Sequence, residues 1–421
     1  MSDDFGAPHR RGGEMDGAAM SIAPIPRISI QAFCETSGVA ETIDDASIDR
    51  RMAKAHVKVH MGGLEAAVAA FRNAPTPNLI VIEDNHGREE MLAGLDRLAE
   101  LCDPGSRVIV IGKYNDIVLY RELIARGVSD YLVSPMDALA FMRAVSELYA
   151  DPEAEAVGRI IAVTGAKGGV GASCLAHNLA WTMSRDFDLS TVIVDMDLGF
   201  GTAGLDFNQD PPQGVAEAVF SPERLDTNLV DRLLSKCTDR LSLLAAPATL
   251  ERPYDLDETA FEGLVDILRA TTPLVVLDVP HLWCAWSRRM LIDSDDVLIV
   301  ATPDLASLRN AKNILDLLRT TRPHDASPKL IMNMVGVPKR PEISVSDFAK
   351  ALELEPLAAI PFDARLFGAA ANNGQMIAEV EEKNKVTEMI DNMAQALMGR
   401  TEHVPEKRGL SLPFVSRLMG S

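Results

Sequence analysis

Cysteine is scarce and scattered in this chain of 421 residues: the five, Cys34, Cys102, Cys174, Cys237 and Cys284, are odd in number and include no close Cys-x-x-Cys pair. That excludes a disulfide framework and a zinc ribbon, and it fits reduced thiols in a cytoplasmic protein. Long apolar runs are missing too. No stretch approaches the roughly 18–20 apolar residues that a bilayer span needs. Residues 1–26 mix Gly, Pro, Asp and Arg and lack the apolar region of a secretory signal. Positive charge is the third shortage, since 41 Lys and Arg against 61 Asp and Glu leave a formal charge of −20. A general nucleic-acid binder needs a basic face to neutralise phosphates, so no nucleic-acid partner is expected.

What is present is length for two domains, each able to bury a core without a metal or disulfide staple. Residues 1–26 read as a polar, Gly/Pro-rich leader. From 27 to 150, apolar runs at Arg27–Phe33, His56–Met61, Leu79–Ile82, Val108–Ile111 and Tyr131–Val133 read as strands. Between them Leu64–Phe71, Glu89–Leu101, Ile117–Ala125 and Ala138–Leu148 carry apolar residues at helical spacing. Residues 151–157 (DPEAEAV) form an expected linker. A second series over 158–400 has strands at Ile160–Val163, Thr191–Val194, Leu241–Leu244, Leu274–Leu277, Val297–Ala301 and Lys329–Met332. Its helices include one through Asn178–Met183, one after Pro303 with a Leu308, Ala311, Leu315, Leu318 stripe, and one over Val386–Leu397. Residues 401–421 form a tail. Alternation of this kind predicts an α/β protein with two doubly wound parallel-sheet domains.

The most informative segment is Gly165-Ala166-Lys167-Gly168-Gly169-Val170-Gly171-Ala172-Ser173, followed by Cys174. It lies between an apolar strand and an amphipathic helix, the context a phosphate-binding loop requires. Glycines let backbone N–H groups turn around phosphate oxygens, and the helix N-terminus adds a favourable dipole. Ser173 would set its hydroxyl on Mg²⁺. Two strands end in carboxylates, at Asp195 with Asp197 beyond it, and at Asp278. The carboxyl ends of parallel strands are where such sites form. A strand-end Asp also serves as a helix cap or turn former, so the loop is what gives these residues weight.

The loop resembles the deviant Walker A motif of MinD/ParA ATPases, and the resemblance covers roughly residues 158–400. It implies ATP and Mg²⁺ as cofactors and a nucleotide-bridged homodimer. Lys167 would reach the partner's phosphates, Asp195 would orient the attacking water, Asp197 would sit near the metal, and Asp278 would hold Mg²⁺ through water. Asn333 matches the family's purine-contacting residue, and Ile360-Pro361-Phe362-Asp363 resembles the segment packed beside the base. One departure matters: the second lysine of the motif, which contacts the β- and γ-phosphates in its own subunit, is Ala172 here. Phosphoryl transfer depends largely on electrostatic stabilisation of the phosphoryl oxygens. Losing that ammonium costs a few kcal/mol, or about two to three decades in rate. Binding with weak or absent hydrolysis is the expectation.

Residues 27–150 resemble a receiver domain that has lost its chemistry. The phosphoacceptor position falls on Glu83, with Asp84 next. The acidic pair after the first strand is replaced by Phe33-Cys34-Glu35, the lysine before the usual proline is Ser134, and Gly112 stands where a switching hydroxyl would be. A fixed docking or dimerisation module is expected, without a Mg²⁺ site. A degenerate receiver joined to this ATPase type resembles the CpaE/TadZ family, as do Asp278-Val279-Pro280-His281-Leu282-Trp283 and the stretch from Ala301 to Ala311. That resemblance implies a localisation factor for a Flp (type IVb, tad) pilus machine, cytoplasmic, at a cell pole or the inner membrane face. Its partners would be the secretion machine or a polar landmark protein. Trp283 and Trp286 read as packing residues. The tail over Lys407–Met419 mixes cations with apolar residues, leaving peripheral membrane contact, partner docking and a plain chain end all open.

A partition ATPase and a nucleotide-free scaffold remain the alternatives. Partition requires DNA binding, so with ATP at low salt the protein is expected to leave the gel mobility of duplex DNA unchanged. Retention of DNA at micromolar protein would favour partition.

Overall fold

The computed structural model describes residues 22–150, 157–250 and 253–399. The tail, most of the expected linker and residues 1–21 lie outside the described residues. Of the leader, residues 22–26 are described, and they pack: Ile22 and Ile25 are buried in the first core. Those five residues therefore belong with the domain that follows.

The first sheet holds five parallel strands, β1 Ser29–Cys34, β2 His56–Met61, β3 Leu79–Glu83, β4 Arg107–Gly112 and β5 Asp130–Val133, in the order β2-β1-β3-β4-β5. β3 is buried at all five positions, as a strand covered on both faces must be. Ile30, Ala32, Val81 and Ile109 pack on one side beneath helices Ser37–Ser47 and Ala138–Tyr149. Phe33, Ile80, Ile82 and Val110 pack on the other, beneath helices Gly63–Phe71, Arg88–Ala99 and Ile117–Ala125. The two sets alternate along the strands, as the period of two requires. β2, at the edge, turns His56, Lys58 and His60 outward, polar groups that suit an exposed edge.

The second sheet has eight strands: β6 Arg159–Gly165, β7 Thr191–Asp195, β8 Ser235–Lys236, β9 Leu241–Leu244, β10 Leu274–Val279, β11 Asp296–Ala301, β12 Lys329–Val335 and β13 Pro356–Pro361. Their order is β13-β12-β11-β6-β10-β7-β9-β8, parallel throughout except where β8 runs against β9. Helices cover both faces. Helix Ala172–Asp186 follows β6 and packs on one face beside helix Lys385–Leu397. Helix Leu305–Thr321 lies on the other, burying Ala311, Leu315 and Leu318 of the expected stripe and half-burying Leu308. The α/β class and the parallel sheets agree with expectation.

Several elements escape the periodicity reading, including β8 and the helices Thr227–Leu233, Glu262–Thr271, Ala285–Asp293, Val345–Leu352 and Ala364–Asn373; helix Ser37–Ser47 and β13 show why. Helix Ser37–Ser47 buries Val39, Ala40, Ile43 and Ala46. Its remaining residues are polar or small, so its stripe is short, and its start rests on Thr36 accepting from the Val39 N–H. β13 is rich in alanine and proline and gives little strand signal.

The two sheets are joined by buried ions. Arg50, on a turn of 3₁₀ helix at Arg50–Met52, donates to Asp325 at 2.8 Å, to the Asp293 carbonyl at 2.9 Å and to Asp295 at 3.2 Å. Arg322 and Arg269 bind the same carboxylates from within the second domain. Asp295, Asp296 and Asp325 precede or begin β11 and β12, so the first domain docks at the N-terminal ends of these strands. The phosphate-loop candidate lies at their C-terminal ends, about 20 Å away for strands of six residues.

Removing Arg50 would take one arginine partner from each of two buried carboxylates and leave Arg269 and Arg322 to hold them alone. Arg50→Ala is expected to lower unfolding stability by about 3 kcal/mol, read from urea denaturation; a change under about 0.5 kcal/mol, the size of an ordinary surface substitution, would show the joint to be incidental.

Candidate functional site

β6 ends at Gly165, and helix Ala172–Asp186 begins after a loop whose Gly169 and Gly171 adopt φ of +76° and +84°. That left-handed region suits glycine. Side chains and backbone from elsewhere hold the loop from behind. The Ala166 N–H donates to the Val300 carbonyl at 2.8 Å, Asn310 donates to the Ala166 carbonyl at 2.9 Å, and Asn333 donates to the Val170 carbonyl at 2.8 Å. His281 Nδ1 lies 2.9 Å from the Gly165 carbonyl. Carbonyls are thus satisfied, while the N–H groups of residues 168–173 have no acceptor among the described residues. The loop borders a cavity of about 610 Å³, lined also by Asp197, Gly199, Phe200, Tyr254, His281 and Trp286. Unpartnered amides at a helix N-terminus facing open space are what an anion such as phosphate requires. A side chain added at Gly168 or Gly169 would meet nothing within 4 Å, so the space above the loop is free.

Lys167, Ala172, Ser173 and Asp197 all line this cavity. Lys167 donates to Asp304 of its own chain at 2.7 Å. Partial burial works against the Asp304 charge, but hydrogen bonds from Lys167, Thr302 and the Ser307 N–H together hold its carboxyl down at about 2. No ammonium is supplied by position 172, where the methyl of Ala172 stands.

Beneath the loop lies an acidic floor. Asp195 and Asp278 face each other in register on β7 and β10, and both are buried. Asp195 accepts from the Asp197 N–H at 3.1 Å and the Ala203 N–H at 3.0 Å. Burial, joined by the Asp278 charge, pushes its carboxyl up to about 7. His177, one turn along the helix from Ser173, is fully buried with Nδ1 2.7 Å from Asp206 and Nε2 3.3 Å from Asp278. Burial alone would disfavour its charge, yet the hydrogen bond to Asp206 and the nearby Asp278 and Asp206 carboxylates lift it to about 10.

The structure does not bring every expected residue to the cavity. Gly165 and Lys167 through Ser173 line it; Ala166, Cys174, Asp195, Asp278, Asn333 and Pro361 do not. Asp195 is turned inward to hold residues 197–203, so in this conformation it is not placed to orient a water. Asn333 is buried against the back of the loop, its Oδ1 without a partner among the described residues. Pro361 ends β13 opposite Val335, beside the Asn333 strand. Burial pushes the Cys174 thiol up to about 12, which leaves it unreactive. Trp286 packs on Phe261 with ring centroids 4.8 Å apart, as expected, but Trp283 is 57% exposed and is not a packing residue. Sequence reasoning gave no site role to His177, Asp206, His281, Asp304 or Asn310, although the last three lie in the stretches that carry the CpaE/TadZ resemblance. Asp304 had a signal, since it caps the helix that follows it; His177 had none, sitting inside an apolar helix face.

In the first domain Glu83 is buried and accepts from the Glu35 and Thr36 N–H groups, the Thr36 hydroxyl and Asn85. It clamps the loop after β1 and is not exposed for phosphorylation. The expectation that the acid cluster is missing needs correction: Glu35, Asp84 and His86 bring three ligand-type atoms within 4.8 Å of one another. The Asp84 and Glu35 charges raise the His86 imidazole. At Gly112 a Cβ would fall 2.5 Å from the Tyr131 hydroxyl, so the tyrosine occupies the place of a switching side chain.

No protein-family model matches the chain. Its N-terminal part is 50% identical to a pilus assembly protein CpaE from Caulobacter crescentus, covering 31% of this chain and 100% of the solved one, with a TM-score of 0.30. A ParA family ATPase from Chlorobium tepidum is 26% identical and covers 56% of this chain and 98% of its own, with a TM-score of 0.51. The septum site-determining protein MinD of Synechocystis is 28% identical over 251 residues, 58% of this chain and 90% of its own length.

The close approach of Gly201 to the floor can be tested. A Cβ there would lie 2.3 Å from an Asp195 oxygen, so Gly201→Ala is expected to cost about 2 kcal/mol of stability, measured by chemical denaturation. An unchanged midpoint would mean that Asp195 does not hold this loop.

Proposed function

We propose that the chain, whose N-terminal part is similar to CpaE pilus assembly proteins and whose second part has the fold of ParA family ATPases, is an ATP-binding localisation or assembly factor for a Flp-type pilus machine. It works as a nucleotide-bridged homodimer with weak or absent hydrolysis. The observation that carries this reading is the set of unpartnered amides over residues 168–173 beside Ala172. Amides and a helix dipole bind phosphate without a side-chain cation. Stabilising the transferring phosphoryl group is a stronger demand, and the ammonium that would meet it is absent from position 172.

Bound magnesium would neutralise phosphate charge, with Ser173, Asp197 and Asp278 the residues to hold it directly or through water. The hard oxygen donors suit that ion. Lys167, held by Asp304, is the cation available to a second copy across the nucleotide. Asn333 and Pro361 are the base-side candidates, and the unpartnered Asn333 Oδ1 suits an amino-group donor. Residues 27–150 act as a docking module and 158–400 as the nucleotide module. Partners are a second copy of the chain and the secretion machine or a polar landmark, on the cytoplasmic side. No helix among the described residues is long and apolar enough to cross a membrane.

Calorimetry with ATP and Mg²⁺ is expected to give saturable binding, and phosphate release to stay near background. Ala172→Lys is expected to raise turnover by about 10²–10³. Ordinary family turnover in the wild type, or no gain in the variant, would overturn the role given to the missing lysine.

A further inference from the structure

His177 is buried where three parts of the nucleotide module meet. It belongs to the helix that starts at the loop, its Nδ1 contacts Asp206 at 2.7 Å, and its Nε2 lies 3.3 Å from Asp278 on β10. The Nε2 contact lacks hydrogen-bond geometry, so this buried nitrogen is held against Asp278 by packing. Phe207 covers the ring at 5.5 Å between centroids. Among the described residues no lysine or arginine pairs with Asp195, Asp206 or Asp278. A fully buried imidazole thus stands between Asp206 and Asp278, with Asp195 in register beside Asp278 on the neighbouring strand.

Its two contacts connect elements with different tasks. Asp278 is the proposed magnesium-bearing carboxylate. Asp206 closes the segment that begins at Asp197 and includes the cavity-lining Gly199 and Phe200. An imidazole of core type would be expected to pack or to cap a local carbonyl. This one bridges a β-strand end to a cavity-lining segment that is also tied to Asp195 through the Ala203 N–H.

We propose that His177 is a positioning residue for magnesium–nucleotide binding: it fixes one oxygen of Asp278 from below and ties it to Asp206. The other oxygen is then aimed for the metal or its water, and Asp278 and segment 197–206 shift as one unit. This rests on the reading of Asp278 as a magnesium-bearing residue.

The test compares ATP affinity with saturating Mg²⁺ and with EDTA, using the full chain and a fluorescent ATP analogue. The ratio of the two affinities isolates the metal-dependent part. His177→Gln, which can reach only one of the two carboxylates, is expected to lower that ratio about tenfold, with the EDTA affinity within about twofold of wild type. Asp206→Asn keeps the imidazole beside Asp278 but weakens its anchor, and is expected to lower the ratio about threefold, within the range of such partner substitutions. Because Asp206 is only partly buried, this variant decides the matter if His177→Gln does not fold. Lower melting temperatures with an unchanged ratio would reduce His177 to a structural residue and overturn the proposal. Failure of the wild type to bind ATP at all would instead remove the reading it rests on.

Discussion

Backbone hydrogen bonding around the first loop of the second sheet sets the terms for everything else. A chain leaving a buried parallel strand must turn into a helix while satisfying its carbonyls. Here the carbonyls of Gly165, Ala166 and Val170 are taken by His281, Asn310 and Asn333, each from a different segment. The amides of 168–173 are left over, and the only acceptors that fit the free space are external. A ligand held this way would depend on main-chain geometry, so on the proposed reading alanine at position 172 is compatible with binding. The same reading expects catalysis to suffer more, because catalysis draws on charge that develops only in the transition state.

Charge is distributed to the two ends of the second sheet. At the C-terminal ends of its strands, carboxylates on β7 and β10 lie under the loop with His177 among them. At the N-terminal ends, Asp293, Asp295 and Asp325 take up Arg50 from the first domain together with Arg269 and Arg322. A buried arginine costs desolvation that good pairing offsets, and its directional bonds fix how the domains meet. The first domain is therefore an arm attached at the far end of the sheet, away from the nucleotide cavity. Its own acidic pocket has lost the receiver pattern: Glu83 is used as a clamp and Tyr131 fills the switch position.

Much of this was legible in the sequence because the signals are local. Apolar runs such as Leu79–Ile82 and Leu274–Leu277 are fully buried strands, and helix Ile117–Ala125 begins and ends where its periodicity does. Gly165–Ser173 marks its own loop, since glycine placement and the flanking strand and helix are adjacent in the chain. The contacts that give the site its behaviour are long-range and left no local trace. Lys167 meets Asp304 across 137 positions, and His177 meets Asp278 across a sheet. Asp195 reads the same whether its carboxylate faces a cavity or caps its own loop, and only packing decides that it faces inward. Trp283 and Trp286 are three residues apart on one short segment, yet one is exposed and the other is core.

The central claim is that main-chain amides, without a loop ammonium, hold the triphosphate. A crystal structure of the chain with ATP and Mg²⁺ tests it most directly. The account predicts phosphate oxygens at about 3 Å from several N–H groups of residues 168–173, with no lysine of the same chain on those oxygens. Nucleotide bound elsewhere, or Lys167 released from Asp304 and turned onto its own chain's β- and γ-phosphates, would contradict it.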